Sequence, residues 1–229
     1  AITDKYKRCR AAVDSGVNLV VELPLFYAVS SAEIFAAGAV ATLNALNASF
    51  ISFGCENADI QMLKKIAITL VNEPDEYKKH LKKALTCGDS FPTARAKALS
   101  EFFKSDDISR LISSPNNILA IEYIKEIIKS ESAVTPVALT RKISGYHDNE
   151  IHENIASASA IRKILHDSGI HKNNDSRCKN IKELQNVMPE AMYNILASES
   201  QNNALIYADD FSSMLNYKIS NIFYIAKYR

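Results

Sequence analysis

Tryptophan is absent from this chain, and its six glycines stand apart at positions 16, 38, 54, 88, 145 and 169. Scattered in that way they form neither a Gly-x-Gly-x-x-Gly turn nor a P-loop, so two common ways of cradling nucleotide phosphates are excluded. The four cysteines, Cys9, Cys55, Cys87 and Cys178, lie far apart without a Cys-x-x-Cys pair. Neither a zinc cluster nor a disulfide framework is expected, and the thiols read as free. No apolar run approaches the ~18 residues of a membrane span; the longest is Ile34 to Ala41. The opening AITDKYKRCR has no basic-then-apolar leader, so a cytoplasmic protein with no membrane contact is the expectation. Charge of one sign is also lacking, with 27 Lys plus Arg against 26 Asp plus Glu. A dedicated nucleic-acid binder carries a basic excess, so any RNA contact here must be local.

What remains is the balance of a globular protein, 229 residues that are 47% hydrophobic and 23% charged, enough for one main domain and an appendage. A helix is predicted from Thr3 to Ser15, with Thr3 as N-cap and Gly16 in the left-handed position after it. Val17 to Leu23, β-branched and stopped by Pro24, reads as a strand buried on both faces, although a buried helix has the same signature. Ser30 and Glu33 have capping-box spacing before an Ala-rich helix that runs to about Leu46. Ser49 to Phe53 alternates as a strand ending at Gly54. Three helical stretches follow between Asp59 and Lys104. Asn116 to Lys129 then carries a core-facing stripe at 118, 121, 124, 127 and 128. Ala133 to Leu139 reads as a third strand, with Pro136 marking an edge or a bulge. After a polar loop, a helix is predicted from about Ser157 to Asp167. Strands separated by helices imply an α/β fold, a mainly parallel, Rossmann-like sheet with helical cover. The polar stretch 171–180 suggests a boundary, giving a nucleotide-binding domain over 1–170 and a helical module over 171–229 that looks incomplete.

In open α/β sheets ligands bind beyond the carboxyl ends of the strands, and free N–H groups of a following helix favour phosphate. Gly54-Cys55-Glu56-Asn57 is one such place: either a plain strand-ending turn, or a backbone that a base or ribose can approach closely. Asn116 and Asn117 are N-cap candidates or part of that site. Arg141 and Lys142 put two cations after a strand, where they meet phosphate or stay solvated. Ser157-Ala158-Ser159-Ala160-Ile161-Arg162 combines hydroxyls, helix-start amides and a guanidinium, the donors that phosphate oxygens favour, although Ser157 alone would suffice as a cap. Tyr146, His147, Asp148, His152 and Glu153 lack the spacing of a zinc site and read as a polar loop, so no metal ligand is assigned. Lys78, Lys79, Lys82 and Lys83 share one face of a helix whose other face carries Tyr77, Leu81 and Leu85. This dense cationic stripe is a solvated face, or the leading place for phosphate contacts with RNA.

Taken together, SGVNLVVELPLFYAVSSAEIFAAGAV, SFGCEN, PNNILAIEYIK, GYHD and IASASAIRK resemble, in order and at compatible spacing, the bacterial tRNA(Met) cytidine acetate ligase family. That family is similar to the nucleotidyltransferases with His-x-Gly-His and Ile-Ser-Ser-Thr-x-Ile-Arg-like motifs. Residues Ser157 to Arg162 resemble the second of these, with Ala158 replacing a hydroxyl. The resemblance implies a two-step enzyme: acetate and ATP form acetyladenylate and pyrophosphate, and the acetyl group then passes to the wobble cytidine of elongator tRNA(Met). It also implies that Gly54, Asn116, Arg141 and Lys142 contact ATP, Lys142 by place rather than by residue type and so through its backbone. Magnesium is compatible with that chemistry. No His-x-Gly-His occurs in the sequence, and the resemblance places that motif before the first residue, so the chain reads as an internal portion, inactive alone. Two alternatives stay open: a non-catalytic nucleotide- or RNA-binding fragment, and an adenylyltransferase of the same superfamily acting on another small acid. Nothing in the sequence indicates an oligomeric state.

Overall fold

A computed structural model describes residues 2–140, 151–152, 155–169 and 181–227. The chain divides into two compact units, one of residues 22–142 and one that joins 1–21 to 143–229. The boundary expected near residue 171 lies outside the described residues.

The first unit is helical cover around a parallel strand pair. Its elements are α2 (Leu25–Ala28), α3 (Ala32–Ala45), β1 (Phe50–Cys55), α4 (Ile60–Asn72), α5 (Asp75–Thr86), α6 (Phe91–Phe103), α7 (Asp106–Leu111), α8 (Pro115–Lys129) and β2 (Thr135–Thr140). β1 and β2 pair in parallel, from Phe50 opposite Thr135 to Cys55 opposite Thr140, an arrangement that needs the long helical connection between them. Alternation along β1 sends Ile51, Phe53 and Cys55 into the core with Leu63, Ile66, Leu99, Ile121 and Ile124. α8 contributes Ala120, Ile121, Ile124 and Ile127 to that core, and Phe53 stacks on Tyr123 with ring centroids 5.6 Å apart. The other face of the pair carries Phe50, Val137 and Leu139, all exposed. Gly54 lies within β1, one residue before its end, so the strand extends past the glycine expected to close it.

Two local expectations are corrected here. Val17 to Leu23 forms no strand: Val17, Leu19, Val20 and Val21 are exposed, and among the described residues no neighbouring backbone forms a ladder with this run. A strand exists only where a second backbone satisfies its N–H and C=O groups, whatever its side chains favour. Ser30 and Glu33 do not form a capping box. Ser31 is the N-cap of α3, Ser30 Oγ donates to the Phe26 carbonyl at 2.5 Å, and Glu33 is drawn instead to Lys125 and Lys129 of α8. On α5, Tyr77 and Ala84 are buried while Leu85 is exposed.

The second unit contains α1 (Lys5–Asp14), a two-residue hairpin of β3 (Ile151–His152) and β4 (Ile155–Ala156), α9 (Ala158–Gly169), α10 (Glu190–Gln201), a 3-10 turn (Ala208–Phe211) and α11 (Ser212–Lys227). The N-cap of α1 is Asp4, whose carboxylate accepts the Lys7 N–H at 2.9 Å. Thr3, expected in that place, is buried. Gly16 does adopt positive φ, +101°. Residues at the start of the chain join the later helices through Lys7 Nζ to Glu199 Oε2 at 2.6 Å and the Ile206 N–H to the Ile2 carbonyl at 3.0 Å. Ile2, Leu165, Ile181, Leu184 and Leu196 form a core of their own. Among the described residues, no helix is long and apolar enough to cross a membrane.

Candidate functional site

The carboxyl end of β1 is tied down residue by residue. Cys55 is buried opposite Thr140, its Sγ 3.7 Å from the Leu139 carbonyl oxygen, and burial together with the neighbouring Glu56 charge pushes its thiol pKa upward. The next two backbone N–H groups, of Glu56 and Asn57, both donate to the side-chain oxygen of Asn117, at 3.0 and 3.2 Å. Asn117 Nδ2 donates in turn to the Leu111 carbonyl at 2.9 Å. Beyond the loop, Asn57 Oδ1 accepts the Asp59 N–H, and Asp59 caps α4 by accepting the N–H groups of Gln61 and Met62.

Asn116 and Asn117 are therefore not N-caps. Ser114 occupies that position and Pro115 begins α8, which leaves both asparagines in the first turn, where their amides turn to the β1 loop. Asn116 Nδ2 donates to Glu56 Oε1 at 2.7 Å. Gly54 lies on the open face of its strand, one residue before the buried Cys55. Asn116, one of the residues singled out as an ATP contact, is thus bonded to Glu56, which stands two residues after Gly54, another of them. Arg141 and Lys142 follow Thr140 in sequence and lie outside the described residues. So do Tyr146, His147, Asp148 and Glu153.

At the start of α9, Ser157 Oγ accepts the Ala160 N–H at 3.0 Å, so this hydroxyl performs the capping that its position suggested. Ser159 Oγ accepts from Arg162 Nη2 at 3.1 Å, which brings the guanidinium back along the helix toward the amide-rich first turn. Arg162 is exposed and lines a 680 Å³ cavity together with Lys163, His166, Tyr207 and Phe211. The donor types expected for an anion are present: a helix start, a hydroxyl and a guanidinium. Gly54 and Asn116 belong to the unit of residues 22–142, and Ser157, Ser159 and Arg162 to the other.

The Lys78, Lys79, Lys82 and Lys83 side chains of α5 are all outside the core, and none of them pairs with a carboxylate among the described residues. Among those residues, no group of three or more His, Cys, Asp or Glu side chains is arranged to hold a metal ion. The residue whose role sequence reasoning left undecided is Asn117, since the resemblance assigns an ATP contact to Asn116 alone. Its signal was present, a polar residue at a position flanked by core-facing ones, but an N-cap role accounted for it equally well.

The HIGH Nucleotidyl Transferase family model matches residues 1–223. A tRNA(Met) cytidine acetate ligase of Clostridium novyi (strain NT) is 41% identical over 220 residues, covering 95% of this chain and 52% of that protein. Among solved structures, Thermotoga maritima TmcAL in an apo crystal form matches with a TM-score of 0.78 and 32% identity, over 88% of this chain and 46% of that one. The same protein bound with alpha-thio ATP matches with a TM-score of 0.74 and 32% identity, over 88% of this chain and 45% of that one. The chain spans about half the length of these relatives. Matched by its model from the first residue to the 223rd, this α/β chain belongs to the HIGH nucleotidyl transferase family.

Proposed function

We propose that the natural protein containing this chain is an ATP-dependent ligase that acetylates the wobble cytidine of elongator tRNA(Met). The observation that supports this reading is the 41% identity, across 95% of the chain, to a protein named tRNA(Met) cytidine acetate ligase. In the first step an acetate oxygen attacks the α-phosphorus of ATP and pyrophosphate departs, leaving acetyladenylate. In the second, the exocyclic amine of cytidine attacks the acetyl carbonyl, AMP departs, and an amide bond is formed. Both steps develop negative charge on phosphate oxygens, and preoriented cations and amide dipoles lower that barrier.

Ser157, Ser159 and Arg162 are assigned to the phosphates. Ser157 caps its own helix, so its contribution is to hold the first turn in shape. Gly54 and Asn116 are assigned to the nucleoside, Arg141 and Lys142 to the remaining ATP contacts, and Lys78, Lys79, Lys82 and Lys83 to tRNA. Magnesium would enter with ATP, held by phosphate oxygens. A nucleotide-binding domain over 1–170, a helical module over 171–229 and a cytoplasmic location complete the reading.

ATP–pyrophosphate exchange by the natural protein tests it. Exchange is expected to require acetate and to proceed without tRNA. Exchange with a different carboxylate but not with acetate would overturn the substrate assignment, and no exchange with any would overturn the adenylation chemistry.

A further inference from the structure

We infer that Asn117 is a positioning residue for ATP: it holds the β1 loop in the shape that presents Gly54, Glu56 and Asn116 to the nucleotide. The inference rests on the ATP reading above and adds a residue to it. Asn117 is only 1% exposed, so it cannot itself be a surface contact. Its amide is nonetheless aimed at the loop rather than at its own helix. Two consecutive backbone N–H groups converging on one oxygen form the concave arrangement that otherwise takes an anion. Here Asn117 Oδ1 fills it, at 3.0 and 3.2 Å, while Nδ2 is anchored on the Leu111 carbonyl at 2.9 Å.

The side chain is therefore a strut from the end of α7 and the first turn of α8 to the loop after β1. Helix capping does not require it, because Ser114 is the N-cap of α8. Its immediate neighbour Asn116 and the loop residue Glu56 meet at 2.7 Å only if the loop stands where Asn117 holds it. A loop ordered in advance spares the nucleotide the entropy of ordering it, and that gain appears in binding rather than in the chemical step.

The test compares Asn117→Leu and Asn117→Asp with wild type in the natural protein, by ATP–pyrophosphate exchange and by the urea unfolding midpoint. Leucine removes both acceptor bonds and should raise the ATP KM about tenfold, the factor equivalent to one lost hydrogen bond, with kcat changed much less. Aspartate retains an acceptor for both N–H groups, so its KM should stay near wild type, although a second acceptor facing the Leu111 carbonyl lowers its midpoint. KM and stability thus separate, which a purely structural role would not produce. Amide hydrogen exchange at Glu56 and Asn57 in the wild-type protein needs no variant and should be slow. A folded Asn117→Leu protein with an unchanged KM, an Asn117→Asp KM raised as far as that of leucine, or fast exchange at both amides would overturn the inference. Absence of acetate-dependent exchange in wild type would instead overturn the ATP reading, and this inference with it.

Discussion

Removing the carboxylate of Glu122 should strongly destabilise the unit of residues 22–142. Glu122 is 2% exposed and accepts from Arg95 Nη2 at 2.9 Å with one oxygen and from Lys125 Nζ at 2.6 Å with the other. Lys125 is 8% exposed and Arg95 22%, so three formal charges share a largely dry space among α6 and α8. Glu122→Ala leaves two cations facing one another. Losing two charge-assisted hydrogen bonds at about 1.5–3 kcal/mol each suggests about 3–6 kcal/mol, and broken buried pairs cost about 3–5 kcal/mol. Two features of the site favour the lower end. Lys125 keeps Glu33 Oε1 at 3.2 Å, and Arg95 retains some access to water. The expected loss is therefore about 3 kcal/mol, a drop of about 1–3 M in the urea midpoint at ordinary m-values, followed by far-UV circular dichroism. Replacing Arg95, Glu122 and Lys125 together by Met should recover much of that loss, because no charge is then left unpaired. A Glu122→Ala loss below about 1 kcal/mol would refute the reasoning, since it would mean that the cations find water or new partners without cost.

Gly38→Ala should destabilise the protein by about 1–3 kcal/mol through overpacking, because a Cβ there would run into the Tyr27 ring; thermal melts of the two proteins decide it. Arg162→Ala in the natural protein should weaken ATP binding by roughly one to two orders of magnitude, the loss of one charge-assisted hydrogen bond to phosphate, and unchanged affinity by calorimetry would remove Arg162 from the site. Replacing Lys78, Lys79, Lys82 and Lys83 with Gln should reduce the slope of log tRNA affinity against log salt by about 0.7–0.9 for each lysine that meets a phosphate and leave ATP–pyrophosphate exchange intact; an unchanged slope would make the stripe a solvated face. Lys125 and then Lys129 hold the Glu33 carboxyl below its ordinary value of 4.5, so its contribution to stability is complete above that pH and is lost as pH falls through the lower folded value. Denaturant titrations between pH 7 and pH 3 should accordingly show a shallower acid decline in Glu33→Gln than in wild type, and identical declines would show that the pairing does not matter.

Helices were the most legible part of this chain, because their signals are local. The α8 stripe at 3.6-residue spacing and the glycine at 16 with its positive φ both act within a few residues of themselves. Caps were less legible than helices. Thr3 and Asp4 are both of the types that cap helices, as are Ser30 and Ser31, and which neighbour takes the N-cap position depends on how the preceding chain enters the first turn. The β1 strand was recognisable from alternation, whereas the equally apolar Val17 to Leu23 run formed no ladder, since alternation and branching describe side chains while a strand is completed by another backbone.

The sequence by itself determined the family and the residue types available to the site, because motif spacing and donor chemistry are properties of the linear chain. Tertiary structure alone decided what those residues are occupied with. Glu33 turns from a capping role to two lysines of α8, and Asn117, in the first turn of its own helix, holds a loop sixty residues earlier in the chain. Each outcome turns on a partner brought within 3 to 4 Å by packing, and hydrogen-bond strength falls so steeply with distance and angle that the linear order of residues cannot rank those partners.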